Sequence, residues 1–432
     1  MFLYDHFSVD EKGHLKIEGV DTVELAKKYG TPLYVMSANY IRKACEKYHE
    51  VMKSFFGENY SVAYASKALS AKFIYRLIKP LNMHVDVVSG GEIYTALAAG
   101  YDSALMHFHG GNKTRQEIAY AIDKKIGRIV IDNFQEIRII DEECKKRNTD
   151  MAVILRIKPG VDAHTHEFIS TGKEDTKFGF GIGDGQAFNA IEEILKCENL
   201  KLMGFHCHIG SQLLESKPYS MAGKVMADFM ALVREKYGIT LKELIMGGGF
   251  GVKYTYEDKP ESLENMIGAF ADAIKLSCSE NDFPVPFVTI EPGRSIVAPA
   301  GITLYEIGTL KELEGIRNYV SVDGGMTDNP RYALYDARYE CCVANRANEE
   351  RNYKATVAGK CCESGDMVTK DIYIQTPKPG DILCTFTTGA YNYSMASNYN
   401  KTPRPAMVLV DGKDDTLVIE RESFEDLVRL ER

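Results

Sequence analysis

The sequence has no basic leader followed by an apolar run. It opens Met1-Phe2-Leu3-Tyr4-Asp5-His6, which predicts no signal peptide. No stretch reaches the roughly 18 to 20 apolar residues that a membrane-spanning helix needs. Its ten cysteines are scattered, with two adjacent pairs (Cys341-Cys342 and Cys361-Cys362) and no CxxC. That spacing fits neither a zinc ribbon nor the disulfide framework of a small secreted fold, and it predicts reduced thiols in a cytoplasmic protein. Positive charge is not in excess either: the net charge of −9 argues against nucleic acid and anionic membrane as partners. A local cluster of arginines and backbone N–H groups could still take an anionic small molecule. There is no internal repeat and no low-complexity segment.

What is present is globular. Apolar residues make up 45% and charged residues 26% of 432, and that length predicts two domains rather than one core. From about residue 38 to 290 strand and helix patterns alternate. Eight apolar strands are predicted at 61–66, 84–88, 104–108, 128–132, 151–157, 202–207, 243–246 and 287–291, with amphipathic helical stretches between them. Eight such units favour a closed (β/α)8 TIM barrel over an open sheet. After Pro292, short β-branched and aromatic runs separated by Gly, Pro and Asp turns predict an all-β domain, sandwich-like or barrel-like. The fold class is therefore α/β plus all-β: a barrel over 36–290, and a β domain built from 291–432 and from 1–35, with Leu15–Ile17 as a candidate added strand.

A barrel of this kind carries its site at the C-terminal ends of the strands. Those ends hold Lys67, Ser89-Gly90-Gly91-Glu92, His107 and His109, Arg156, His206-Cys207-His208, Gly247-Gly248-Gly249 and Glu291-Pro292-Gly293-Arg294. Period two places Ala63, Ala65 and Lys67 on one side of the first strand, leaving room for a bulky ligand beside a partly desolvated amine, as a Schiff base requires. A lone lysine there is more often simply solvated. The glycine run 247–251 lets backbone N–H groups approach an anion closely, in the strand position where barrels tend to bind phosphate. It is neither a Rossmann nor a P-loop motif. Glu291 follows strand eight, beside strand one, and a carboxylate there could hold a proton on the ring nitrogen of a pyridine cofactor. Three H-x-H triplets (His107/His109, His164/His166, His206/His208) keep a metal-dependent barrel hydrolase open as a rival, weakened because no further His or carboxylate sits at evident ligand spacing beside them.

Taken in order, Tyr64-Ala65-Ser66-Lys67-Ala68, Ser89–Glu92, Gly204–Gln212, Gly247–Gly251 and Glu291–Arg294 resemble the alanine-racemase-like class of pyridoxal-phosphate enzymes, which pairs a barrel with a β domain. The resemblance implies pyridoxal 5'-phosphate as cofactor, with Lys67 bonded to it and His208 stacked on its ring. Ser211, Gly248, Gly249, Gly293, Arg294 and Tyr391 would surround the phosphate, and Glu291 would meet the ring nitrogen. Racemases of the class usually place an Arg against that nitrogen, so the decarboxylase branch fits better. Asp323-Gly324-Gly325-Met326, Arg331-Tyr332-Ala333-Leu334-Tyr335 and Cys361-Cys362-Glu363-Ser364-Gly365-Asp366 look like the diaminopimelate decarboxylases, as does the stretch from His164 to Gly179. That likeness implies an amino-acid substrate whose distal carboxylate is held by Arg294, Arg331, Tyr335 and Tyr391. It further implies that Glu363 receives the distal ammonium, that Cys362 donates a proton in catalysis, and that two chains share their sites in a homodimer. Decarboxylases of lysine, ornithine, arginine or carboxynorspermidine, and a non-catalytic cofactor-binding protein, are the alternatives within the class.

Overall fold

The computed structural model describes residues 2–161 and 176–432. The chain divides into two compact units, one comprising 44–251 and 260–293, the other 1–43, 252–259 and 294–432.

The first unit is the barrel. Its strands are β1 Tyr60–Ala65, β2 His84–Val87, β3 Met106–Phe108, β4 Arg128–Ile131, β5 Met151–Lys158, β6 Leu200–His206, β7 Glu243–Ile245 and β8 Phe287–Ile290. All are parallel, each pairs with the next, and β8 pairs with β1 through Val288↔Tyr60, Thr289↔Ser61 and Ile290↔Val62, closing the ring. The strands are almost entirely buried because helices cover them outside and side chains fill them inside, which is why they read as apolar runs. Val130, Ile154 and Ile245, from β4, β5 and β7, form one buried cluster. The helices begin where local chemistry predicts. Ser89 caps Gly90–Ala98, Thr114 and Glu117 form a capping box for Arg115–Asp123, and Asn133 caps Phe134–Arg147. A strand expected over 104–108 is shorter, because 103–105 forms a 3-10 turn capped by Asp102.

The second unit is a β-sheet domain. Its principal sheet runs in the order Met367–Ile374, Tyr353–Ala358, Arg317–Val322, Gly301–Leu313, Leu33–Ser37, Ala406–Asp411, Asp414–Ile419, with Cys341–Val343 and Ile382–Phe386 paired off Gly301–Leu313. The 13-residue strand Gly301–Leu313 serves two separate cores, Ile302 and Leu304 in one and Tyr305 and Ile307 in the other, and shifts register between Ile307 and Leu310. The N-terminal contribution differs from expectation. Leu15–Ile17 pairs within a separate three-stranded sheet, and the strand inserted in the large sheet is Leu33–Ser37. Leu33–Ser37 is buried throughout and can serve a sheet on both faces, whereas Leu15–Ile17 is too short to span it. Among the described residues no helix is long and apolar enough to cross a membrane.

Candidate active site

At the C-terminal end of the barrel, four buried side chains converge. Glu291 follows β8; its Oε1 lies 2.8 Å from His109 Nε2 and its Oε2 3.2 Å from His206 Nε2. The two imidazoles meet edge to face at 4.8 Å, and Asp86, from β2, lies 3.8 Å from His109. All four are at most 6% exposed. Burial pushes Glu291 up, but His109 and His206 outweigh it and hold the carboxyl well below its ordinary range, so it stays ionised. Burial pulls His206 down to about 3, leaving a neutral ring that donates one N–H to Glu291. Asp86 is raised by burial and by the Glu291 charge, against the pull of His109 and Lys67. The sequence contained no carboxylate at ligand spacing beside the histidine pairs; the fold supplies one, since Glu291 joins His107 and His109 in a group with donor atoms within 4.8 Å of one another. His164 and His166 lie outside the described residues.

Lys67 stands at the rim. It occupies a one-turn 3-10 helix, Ser66–Ala68, rather than the strand itself, and its side chain is exposed where partial desolvation was expected. Its charge nevertheless reaches inward, favouring ionised Asp86 and Glu92 and disfavouring protonation of His208. Burial pushes Glu92 up to about 7 while the Val88 N–H donates to it at 2.7 Å. His208, half-buried after β6, is held well below its ordinary pKa by burial and by the charges of Lys67 and Arg156.

The glycine run builds a wall beside Glu291 and the loop after β6. A Cβ on Gly248 would stand 2.1 Å from the Glu291 carbonyl oxygen, and one on Gly249, at φ +100, would stand 2.3 Å from that of Gly210. Leu213 N–H donates to Gly249 O and Gly251 N–H to Leu213 O, both at 2.9 Å, lacing the glycine run to the loop that carries Ser211. Gly293 approaches β1 so closely that its Cβ would meet the Ala65 Cβ at 2.8 Å, and Ala65 N–H donates to Pro292 O. Only glycine permits these approaches.

Within the β unit a second cluster forms. Arg294 and Arg331 are each 7% exposed. Arg294 Nη1 donates to Tyr254 Oη at 2.7 Å and lies over the Tyr391 ring, 4.7 Å from its centroid. Arg331 Nη1 donates to Tyr339 Oη at 2.8 Å and lies 5.1 Å from the Tyr254 centroid, 5.7 Å from Tyr391 and 6.0 Å from Tyr335. Tyr391 adopts φ +70, uncommon for a bulky residue and sustained by the packing around it. Among the described residues Arg331 has no carboxylate within ion-pair distance. Burial lowers its affinity for a proton, but the phenols of Tyr254, Tyr339 and Tyr391 more than restore it.

Cys362 and Glu363 are exposed. Their loop is nonetheless firmly built: Asp366, 3% exposed, accepts the N–H groups of Met326 and Cys361, each at 2.6 Å, and Asn400 accepts that of Cys362 at 2.9 Å.

Residues 39–298 match the family model described as pyridoxal-dependent decarboxylase, pyridoxal binding domain. Diaminopimelate decarboxylase of Bacillus subtilis is 46% identical over 431 residues, covering 100% of this chain and 98% of that protein. The crystal structure of diaminopimelate decarboxylase from M. jannaschii in complex with L-lysine superposes with a TM-score of 0.92 at 35% identity, over 100% of this chain and 99% of that one. The Helicobacter pylori enzyme complexed with L-lysine gives 0.87 at 32%, over 95% and 99%. The chain belongs to the diaminopimelate decarboxylase family.

As a member of that family it is a pyridoxal-phosphate-dependent carboxy-lyase. The residues present fit the cofactor. Glu291 Oε1 is buried and, despite its ion-pair contact, receives no aligned hydrogen bond, leaving an acceptor for a ring N–H. A neutral imidazole at His208 suits stacking on a flat ring, and the amine of Lys67 is accessible. Asp86, Tyr254, Tyr339 and Asn392, whose Oδ1 accepts the Tyr339 hydroxyl at 3.2 Å, were not singled out in the sequence. Asp86 was findable, since a carboxylate inside the short buried strand His84–Val87 needs a partner at the strand's end. The other three lie in loops or at strand margins where no periodicity applies.

Proposed function

We propose that this chain decarboxylates meso-2,6-diaminopimelate to L-lysine and CO2, the last step of lysine synthesis. The observation that carries this reading is the buried Arg294–Arg331 pair, with Arg331 lacking a carboxylate partner among the described residues. A buried guanidinium is costly unless an anion meets it, and a carboxylate matches its fork in two hydrogen bonds. A substrate ending only in an amine, as for the lysine or ornithine alternatives, would leave that charge unmet.

Lys67 would hold pyridoxal 5'-phosphate through its side-chain amine, with Ser211, Gly248, Gly249, Gly293, Arg294 and Tyr391 about the phosphate. Bound, the cofactor supplies an electron sink for the pair left when CO2 departs. Glu291, kept ionised by His109 and His206, holds a proton at the ring nitrogen, which deepens that sink. His208, uncharged, covers the ring and keeps water from it. Arg331, Arg294, Tyr335 and Tyr391 grip the distal carboxylate, and Glu363 receives the distal ammonium. Cys362 then moves a proton from its Sγ to the carbon that lost CO2. Because Cys362 and Glu363 are exposed on a rigid loop, we assign them to the site of a second copy in a homodimer. Ten free cysteines suit a cytoplasmic setting.

The test is an absorbance spectrum of the purified protein, followed by addition of meso-diaminopimelate with lysine and CO2 monitored. A visible band lost in Lys67→Ala, together with lysine release by the wild type, supports the reading. A band without lysine release overturns the substrate; no band after adding cofactor overturns the role of Lys67.

A further inference from the structure

Two buried guanidiniums in one cluster repel each other, and something must fix their spacing. Tyr254 is placed to do this. Its Oη accepts from Arg294 Nη1, its ring lies 5.7 Å from the Arg294 Cζ and 5.1 Å from the Arg331 Cζ, and its edge meets the face of Tyr339 at 5.4 Å and 89°. Its backbone is held from both sides. Asp258 accepts the Tyr254 N–H at 2.9 Å, Tyr254 O accepts from Glu340 N–H at 3.3 Å, and the preceding Lys253 O accepts from the hydroxyls of Tyr4 at 2.9 Å and Thr387 at 3.3 Å. With the backbone held there and the ring packed against Tyr339, the phenol is a fixed point against which both guanidiniums sit. Burial alone would push its phenol up, yet the charges of Arg294 and Arg331 bring it below the ordinary tyrosine value.

An arginine has five N–H donors and no acceptor, and Arg331 uses one on Tyr339. Resting on the function proposed above, we propose that Tyr254 is a specificity-determining positioning residue: it fixes the planes of Arg294 and Arg331 so that the remaining donors of Arg331 meet the carboxylate at the far end of the substrate. Tyr254 does not touch the reacting carbon. Its contribution is to affinity for ligands that carry the distal carboxylate, the product L-lysine included, and not to the chemical step.

Tyr254→Phe keeps the ring and removes the oxygen. The expected result is a KM for meso-diaminopimelate raised about tenfold with kcat within about twofold, the pattern of lost uniform binding. Inhibition by L-lysine weakens by the same factor, while inhibition by pentane-1,5-diamine, which is L-lysine without its carboxylate, is unchanged. The visible band stays at its wild-type position, and the melting temperature falls by no more than a few degrees, the cost of one buried arginine donor left without its acceptor. Equal weakening of both inhibitors, or a fall in kcat with KM unmoved, overturns the assignment. A second variant guards against a folding artefact. On an Arg331→Lys background Tyr254→Phe should add almost nothing, because both act on one contact, and fully additive effects would again count against it. A wild-type protein that neither releases lysine nor is inhibited by it removes the proposed function instead, and this inference falls with it.

Discussion

Asp328 is a carboxyl in an unusually dry place. It is 1% exposed, its Oδ1 accepts the Gly325 N–H at 2.9 Å, and its Oδ2 accepts the Tyr305 hydroxyl. Burial, with the nearby Asp323 and Asp366, moves it from 3.8 up to about 7, against the pull of those hydrogen bonds. Between pH 4 and 7 the folded chain therefore holds a proton that the unfolded chain has released, so stability falls as pH rises through that window. The displacement corresponds to about 4 kcal/mol. Asp328→Asn keeps the size and one acceptor but cannot ionise. Denaturant titrations from pH 4 to 8 should show the variant gaining on the wild type by about 2 to 4 kcal/mol as the pH rises; parallel curves would mean that Asp328 is ionised at both ends. At this scale legibility in the sequence follows chemistry. Lys67, Glu291 and the Gly247–Gly251 run stand out because their side chains, or the lack of them, are unusual at a strand's end. Asp328 and Tyr254 do not, because nothing in their neighbours along the chain announces that the fold will bury them.

Among elements, the ends of β7 and β8 set the geometry of the glycine wall. Glu291 N–H donates to Gly247 O at 2.7 Å, and Gly248 runs so close to the Glu291 carbonyl that a methyl group would stand 2.1 Å from it. Both neighbours are backbone, so the clash cannot be relieved by a rotamer change. Gly248→Ala should cost about 1 to 3 kcal/mol or more, and, by pushing Glu291 off its position, should weaken retention of the cofactor on dialysis. The control is Gly238→Ala, at φ +71 with nothing within 4 Å of its Cβ, which should cost about 1 to 2 kcal/mol from backbone strain alone and leave retention intact. Equal retention in both would mean that the wall tolerates a methyl and that its glycines are there for flexibility. The eight barrel strands were legible because burial on both faces writes itself as apolar runs, whereas Cys341–Val343 and Met367–Ile374 were not. The first is three residues long, and the second carries Lys370 and Asp371 in its middle, with Asp371 at φ +55 interrupting the alternation.

For the whole molecule, the informative fact is a rigid loop with its reactive groups facing outward. Asp366 accepts two backbone N–H groups, and a Cβ on Gly325 or Gly359 would stand 2.3 Å from its carboxylate, so the 359–366 loop has little freedom to fold back. Yet Cys362 and Glu363 at its tip are exposed. A loop held this firmly while presenting a thiol and a carboxylate to solvent suits insertion into a second copy, as the proposed homodimer requires. The consequence can be counted. Lys67→Ala and Cys362→Ala chains are each inactive as homodimers. Unfolded together and refolded in equal amounts, they form hybrids in about half of the dimers, each with one site that unites an intact Lys67 with an intact Cys362. About a quarter of wild-type activity should then return. Sites contained within single chains would return none, because every site would still lack one of the two residues.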